Sequence, residues 1–139
     1  MSDQTPTLST GVFKGLSPED ADGIMQAGER LSFPAGRAIF EAGDPGDAMF
    51  VIAEGQARVD VGGRFHIMKP GDFFGEMALL APGPRMATVK AETDVTAVKI
   101  GAADFQAFLL ARPAVALSMM KQLVIRLREV EQRIDAWMA

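Results

Sequence analysis

Two residues in this chain of 139 have the types and spacing to do chemistry together. Glu76 follows a glycine and Arg85 follows a Pro-Gly-Pro turn, inside the stretch FFGEMALLAPGPRMATV, Phe73 to Val89. Almost everything around them is apolar. The segment GEMALLA contains helix formers after Gly75, and PGP must end them, so a single helical turn is expected at about 76–80. A helix start behind a glycine presents free N–H groups where backbone can approach closely, the makings of an anion site. The Arg85 guanidinium can fork onto phosphate oxygens at the same place. Glu76 cannot bind an anion, but it can accept hydrogen bonds from hydroxyls. One cation for a phosphate and one carboxylate for a sugar hydroxyl describe a pocket for a singly charged nucleotide. The residues alone leave a second reading open, in which Glu76 and Arg85 pair with each other as a structural ion bridge.

Other chemistries fit poorly. The one histidine, His66, is too few for a metal-binding barrel enzyme, which needs two or three plus a carboxylate. No G-x-S-x-G and no G-x-x-x-x-G-K-[ST] occurs. Zero cysteines exclude disulfides and thiolate metal sites. Glu41, Asp44 and Asp47 lie in a turn-rich run, EAGDPGDAMF, where aspartates cap their own backbone. No metal and no catalytic set is expected. A net charge of −4 gives no basic footprint for nucleic acid. No run of eighteen apolar residues and no secretion signal is present, so no membrane partner is expected and the cytoplasm is the expected compartment.

The elements that must position Glu76 and Arg85 follow from pattern. A polar tail, 1–11, precedes one domain, 12–139. Ser17, Pro18, Glu19 and Asp20 start a helix at 18–27, with Gly28 able to stop it. From about 29 to 100, nine of the fourteen glycines divide short strand-like runs. AMFVIAE reads as a strand buried on both sides, QARVDV alternates, and Gly62-Gly63 can turn it into RFHIM. ATVKA and TAVKI add two more strands. The fold class is therefore α+β: a small antiparallel β-roll, jelly-roll-like, with an N-terminal helix and two C-terminal helices over about 102–138. The first of these ends before Pro113. The last is long, with Ala116, Met120, Leu123, Leu127, Val130, Ile134 and Trp137 at heptad spacing. That seam has two readings, packing on its own barrel or pairing with a second copy of the chain, and the first fits the far end poorly, since a helix of about 25 residues at 1.5 Å each outruns a barrel with strands about 17–20 Å long.

The motifs resemble the cyclic nucleotide-binding domain family, which includes the catabolite activator protein, protein kinase A regulatory subunits and cyclic-nucleotide-gated channels. FGEMALLAPGPRMATV is similar to the family's phosphate-binding cassette, and AGDPGDAMFVIAEGQARV to its strand–turn block. The resemblance covers about Val12 to Trp137 and implies about eight strands and a last helix that serves as hinge and lid. It implies that Phe74 and Gly75 lie against a cyclic nucleotide, and that Glu76 accepts the ribose 2′-hydroxyl. The N–H groups of Met77 and Ala78 would face the cyclic phosphate, which Arg85 would pair, with Ala87 packed behind. Met86 stands where many members have a hydroxyl that favours guanine, so cAMP is expected over cGMP. Val130 and Glu131 stand near the position of the base-contacting hydroxyls, so the base would meet these residues or Arg126 or Arg133. The resemblance thus implies a non-catalytic sensor whose C-terminal helix moves on ligand binding. Catabolite-activator-type regulators continue into a DNA-binding domain that this sequence does not contain, so output is expected through an effector protein or dimer geometry. The alternative is a nucleotide-independent dimerisation module on the same fold.

Overall fold

The computed structural model describes residues 11–61 and 63–138, the last four of these through their backbone alone. Residues 1–10 of the polar tail, Gly62 and the side chain of Trp137 lie outside the described residues. After a short 3-10 turn, Gly11–Phe13, comes helix α1, Pro18–Gln26. Ser17 caps it, accepting from the Asp20 N–H at 3.1 Å. Gly28 lies past its end for a reason the sequence did not suggest: a Cβ there would sit 2.7 Å from the Lys99 carbonyl oxygen and 2.6 Å from a Val98 methyl. It permits close approach to the sheet; its backbone is not left-handed.

The strands are β1 (Glu29–Phe33), β2 (Ala38–Phe40), β3 (Pro45–Gly46), β4 (Ala48–Glu54), β5 (Ala57–Val61), β6 (Arg64–Met68), β7 (Phe73–Phe74), β8 (Gly83–Pro84), β9 (Thr88–Ala91) and β10 (Val95–Gly101). Helix α2 is Met77–Leu80, α3 is Ala102–Ala111 and α4 is Pro113–Met138. Two four-stranded antiparallel sheets, β1-β10-β4-β7 and β2-β9-β5-β6, form the roll, and β3 pairs with β8 in a small third ladder. The β5–β6 register places Val61 opposite Arg64, as a two-residue hairpin requires.

The buried residues form two cores, and the unbroken apolar run in β4 serves both. Met49 and Val51 face a helix-side core with Ile24, Phe105, Val115 and Met119. Phe50 and Ile52 face a core between the sheets with Phe74, Val89 and Ala97. Because strand side chains alternate faces, a strand between two cores has no polar face. β10 behaves the same way: Val95 and Ala97 face one core, Val98 and Ile100 the other, with a register shift between Thr96 and Ala97.

Helix α3 ends where Pro113 forbids its continuation, and α4 leaves at 110° to it. Arg112 secures this corner, donating to Asp20 Oδ1 at 2.6 Å with Glu19 Oε1 at 3.6 Å. Of the two readings of the heptad seam, packing on its own barrel fails. Helix α4 meets its own domain through Val115 and Met119, not through the seam. Met120, Leu123, Leu127, Val130 and Ile134 stay exposed. No single described helix is long and apolar enough to cross a membrane.

Candidate functional site

The apolar character of the cassette sequence becomes a cavity of about 280 Å³. Its charged lining residues are Glu76 and Arg85; the rest of the wall is apolar side chains and glycine. Phe74, Gly75, Glu76, Met77, Ala78, Arg85, Met86 and Ala87, all expected from sequence, line it. Phe40, Val59 and Val89 line it too. Val89, on β9, ends the same stretch of sequence, but Phe40 on β2 and Val59 on β5 are far from it along the chain, and only strand alternation could have hinted at those two.

Glu76 and Arg85 do not form an ion bridge. Among the described residues, ion pairs occur at Arg58 and at Arg112 and none joins these two. The bland reading of the spacing therefore fails. Arg85 is instead held by its surroundings. The β3–β8 ladder places Gly83 opposite Gly46, and the Arg85 N–H donates to the Asp44 carbonyl at 2.7 Å. The guanidinium carbon lies 4.2 Å from the centre of the Phe40 ring, within cation–π range, and 5.8 Å from Phe50. Phe40, Phe50 and Phe74 form one aromatic cluster with centroids 5.6–5.8 Å apart.

Two glycines make the slot for this side chain. A Cβ on Gly46 would lie 2.5 Å from Arg85 Nε, and one on Gly75 would lie 2.7 Å from Nη1. Gly75 has φ +77°, a conformation that other residues rarely adopt. Gly46 is a site residue that the sequence reading passed over. It sat in the strand–turn block with no chemistry attached, and only the approach of Arg85 reveals its role.

The electrostatics of Arg85 are unusual. Its Nε is buried and has no hydrogen-bond partner. Burial lowers the guanidinium pKa, while Asp47 and Asp44 oppose the shift from a distance. Arginine nonetheless stays charged in proteins. The slot thus holds a half-buried cation whose Nε is shut off from water and which no carboxylate contacts among the described residues, next to a half-buried acid. The Glu76 carboxylate accepts no hydrogen bond among the described residues.

The backbone donors differ from expectation at one position. Ala78 donates its N–H to the Gly75 carbonyl at 3.1 Å, because α2 is so short that it opens as a tight turn. The free donors at this turn are earlier, at Glu76 and Met77. Four residues expected at the base do not line the cavity: Arg126, Val130, Glu131 and Arg133 are all on α4. Arg126 reaches across Gly11, where its Nη2 lies 2.5 Å from the position of a Cβ, close to Phe73. Phe73 faces the helix-side core and Phe74 the inter-sheet core, so Arg126 is on the far side of β7 from the cavity. His66 is exposed on β6, and the described residues contain no cluster able to hold a metal ion. Asp44 does cap its own turn, accepting from the Glu41 N–H at 3.0 Å.

The family model for the cyclic nucleotide-binding domain matches residues 30–112. The chain belongs to the cyclic nucleotide-binding domain family. It is 34% identical over 130 residues to the cyclic AMP receptor protein of Thermus thermophilus, covering 89% of this chain and 60% of that protein. The chain therefore spans well under two thirds of that relative. A solved structure of the N-terminal domain of a Streptomyces coelicolor transcriptional regulator superimposes with a TM-score of 0.79 at 30% identity, covering 90% of this chain and 92% of the other. Another, described with a cyclic-GMP-dependent signalling pathway of bacterial phytopathogenesis, has a TM-score of 0.71 at 26% identity, covering 82% and 95%. The matched residues 30–112 include every residue that lines the cavity.

Proposed function

We propose that this cyclic nucleotide-binding domain is a non-catalytic sensor that prefers cAMP and that ligand binding repositions α4. The observation that carries the reading is Arg85: a buried, unpartnered guanidinium nitrogen in a cavity whose other charge is an acid. Partial desolvation of this cation, with no carboxylate in contact, has a cost that an anion entering the slot would offset. A cyclic phosphate would take Arg85 and the free N–H groups of the Gly75–Met77 turn. Its ribose 2′-hydroxyl would donate to Glu76. The base would lie along the apolar wall of Val59, Val89 and Ala87. Met86 brings no hydroxyl for guanine, which supports adenine; the relative tied to cyclic GMP makes cGMP the necessary competitor.

Exposure of the α4 seam supports a homodimer through that helix, and it is also what favours the second reading, a dimerisation module indifferent to nucleotide. The net charge of −4 supports a domain that does not itself bind nucleic acid, working in the cytoplasm through an effector protein. Calorimetric titration with cAMP and cGMP separates the readings. Saturable heat with cAMP, weaker with cGMP, is expected. No heat from either at millimolar concentration leaves the dimerisation module.

A further inference from the structure

The cavity mouth carries an unusual pair. Met86, 87% exposed, and Met77, 72% exposed, both line the cavity. Each directly follows one of the two charged lining residues, Glu76 and Arg85. Elsewhere in the domain, Met25, Met49 and Met119 are buried, which is where packing puts this side chain. Met120 is also exposed, but on α4 and not at the cavity. An exposed thioether is open to peroxide, and its oxide is polar where the thioether was apolar.

We propose that Met77 and Met86 form a redox-sensitive rim, at which oxidation by a hydroperoxide lowers nucleotide affinity reversibly. The sulfur attacks one peroxide oxygen and the O–O bond breaks. An S–O bond forms, and the other oxygen takes up the proton of the attacked one and leaves as water from hydrogen peroxide or as an alcohol from an organic hydroperoxide. Sulfur loses the electron pair that the peroxide gains. The sulfoxide oxygens would carry partial negative charge at the rim of the cavity that Arg85 also lines, where they oppose an entering anion. It also puts a strong acceptor on a wall that has to be desolvated when a ligand covers it. Methionine sulfoxide reductases A and B, one per sulfoxide epimer, reverse the change.

The inference rests on the nucleotide-binding reading, and one experiment distinguishes the two. The protein is titrated calorimetrically with cAMP before peroxide treatment, after it, and after repair by both reductases, with each sulfoxide mapped by peptide mass spectrometry. The Met77→Leu/Met86→Leu double variant is carried in parallel, against its own untreated affinity. The expected result for the unaltered protein is a fall of about fivefold or more, the low end of burying an uncompensated polar group. That fall should track sulfoxide at 77 and 86 and should be undone by the reductases. The double variant should keep its own affinity through the same treatment while Met120 still oxidises. Unchanged affinity with both sulfoxides formed overturns the inference, as does an equal fall in the double variant. Absence of cAMP binding before treatment overturns the nucleotide reading and this inference with it.

Discussion

Replacing Arg85 with leucine should move affinity and stability by very different amounts. In the unliganded fold the side chain makes little that is favourable. Its Nε has no partner, and no carboxylate contacts it. What it does make is the stack on Phe40 at 4.2 Å. Losing a cation–π contact costs about 0.5–2 kcal/mol, and removing an unsatisfied donor returns about 1–3 kcal/mol. The two nearly cancel, so the midpoint of thermal unfolding should stay within about 4 °C of the unaltered protein, the equivalent of about 1 kcal/mol at this size. Binding has no such compensation. A charged hydrogen bond contributes about 1.5–3 kcal/mol, so cAMP affinity should fall by about 10- to 150-fold in a calorimetric titration. Unchanged affinity would remove Arg85 from the site. A large loss of thermal stability would show that the arginine is structural, and the argument from its unpartnered nitrogen would fail.

Other changes probe neighbouring parts of the argument. Gly75→Ala puts an alanine on a left-handed backbone and drives a Cβ to 2.7 Å from Arg85 Nη1, so it should lower both folding stability and cAMP affinity, the first by about 1–2 kcal/mol; thermal melts and calorimetry together test this, and normal values in both would refute it. Glu76→Gln keeps an acceptor oxygen but loses the charge, so calorimetry should find cAMP binding weakened while 2′-deoxy-cAMP, lacking the hydroxyl, is affected far less. Leu127→Glu puts a charge in the exposed seam of α4, and sedimentation should show a shift from dimer to monomer without a change in the melting of the roll. Arg112→Gln unties an exposed clip between α1 and the α3–α4 corner; its effect on melting should be small and should vanish at high salt.

The sequence made local features legible and left long-range ones obscure. The capped start of α1, the Pro113 break and the doubly buried strand β4 each follow from a few neighbouring residues, and the structure has all three. The cassette residues were legible because the site is largely one continuous segment, from Phe74 to Ala87. Its remaining walls are Phe40, Val59 and Val89, whose meeting depends on the pairing of β9 with both β2 and β5. No spacing along the chain encodes that. Gly46 was hidden for the same reason, since its role exists only when β3 meets β8. On α4, spacing marked a seam that stays exposed and did not reveal which residues the domain itself would use. Val115 and Met119 are four apart, as good a stripe as the seam, and tertiary packing chose them.

The division into two cores also bears on how a ligand could move α4. The cavity borders the inter-sheet core, to which Phe74 belongs. Helix α4 enters the other core, through Val115 and Met119. The cassette is in contact with both, because Leu79 of α2 is buried in the helix-side core with Phe105 of α3. On the proposed reading, a shift of α2 by a ligand at Glu76 and Met77 would not stay local: it would change the packing of Leu79 in the cluster it shares with Phe105, a close-packed interior with little room to absorb it. Phe105 is fixed on α3, and α3 ends at the 110° corner from which α4 departs. A small displacement at that corner is multiplied along a helix of 26 residues. Leu79→Ala should then leave the Arg85 slot intact but loosen this link. The expected result is cAMP binding that persists while the ligand-induced change in α4, followed by spin labels on the helix and on β1, shrinks. Full movement of α4 in that variant would mean that the signal travels by another route.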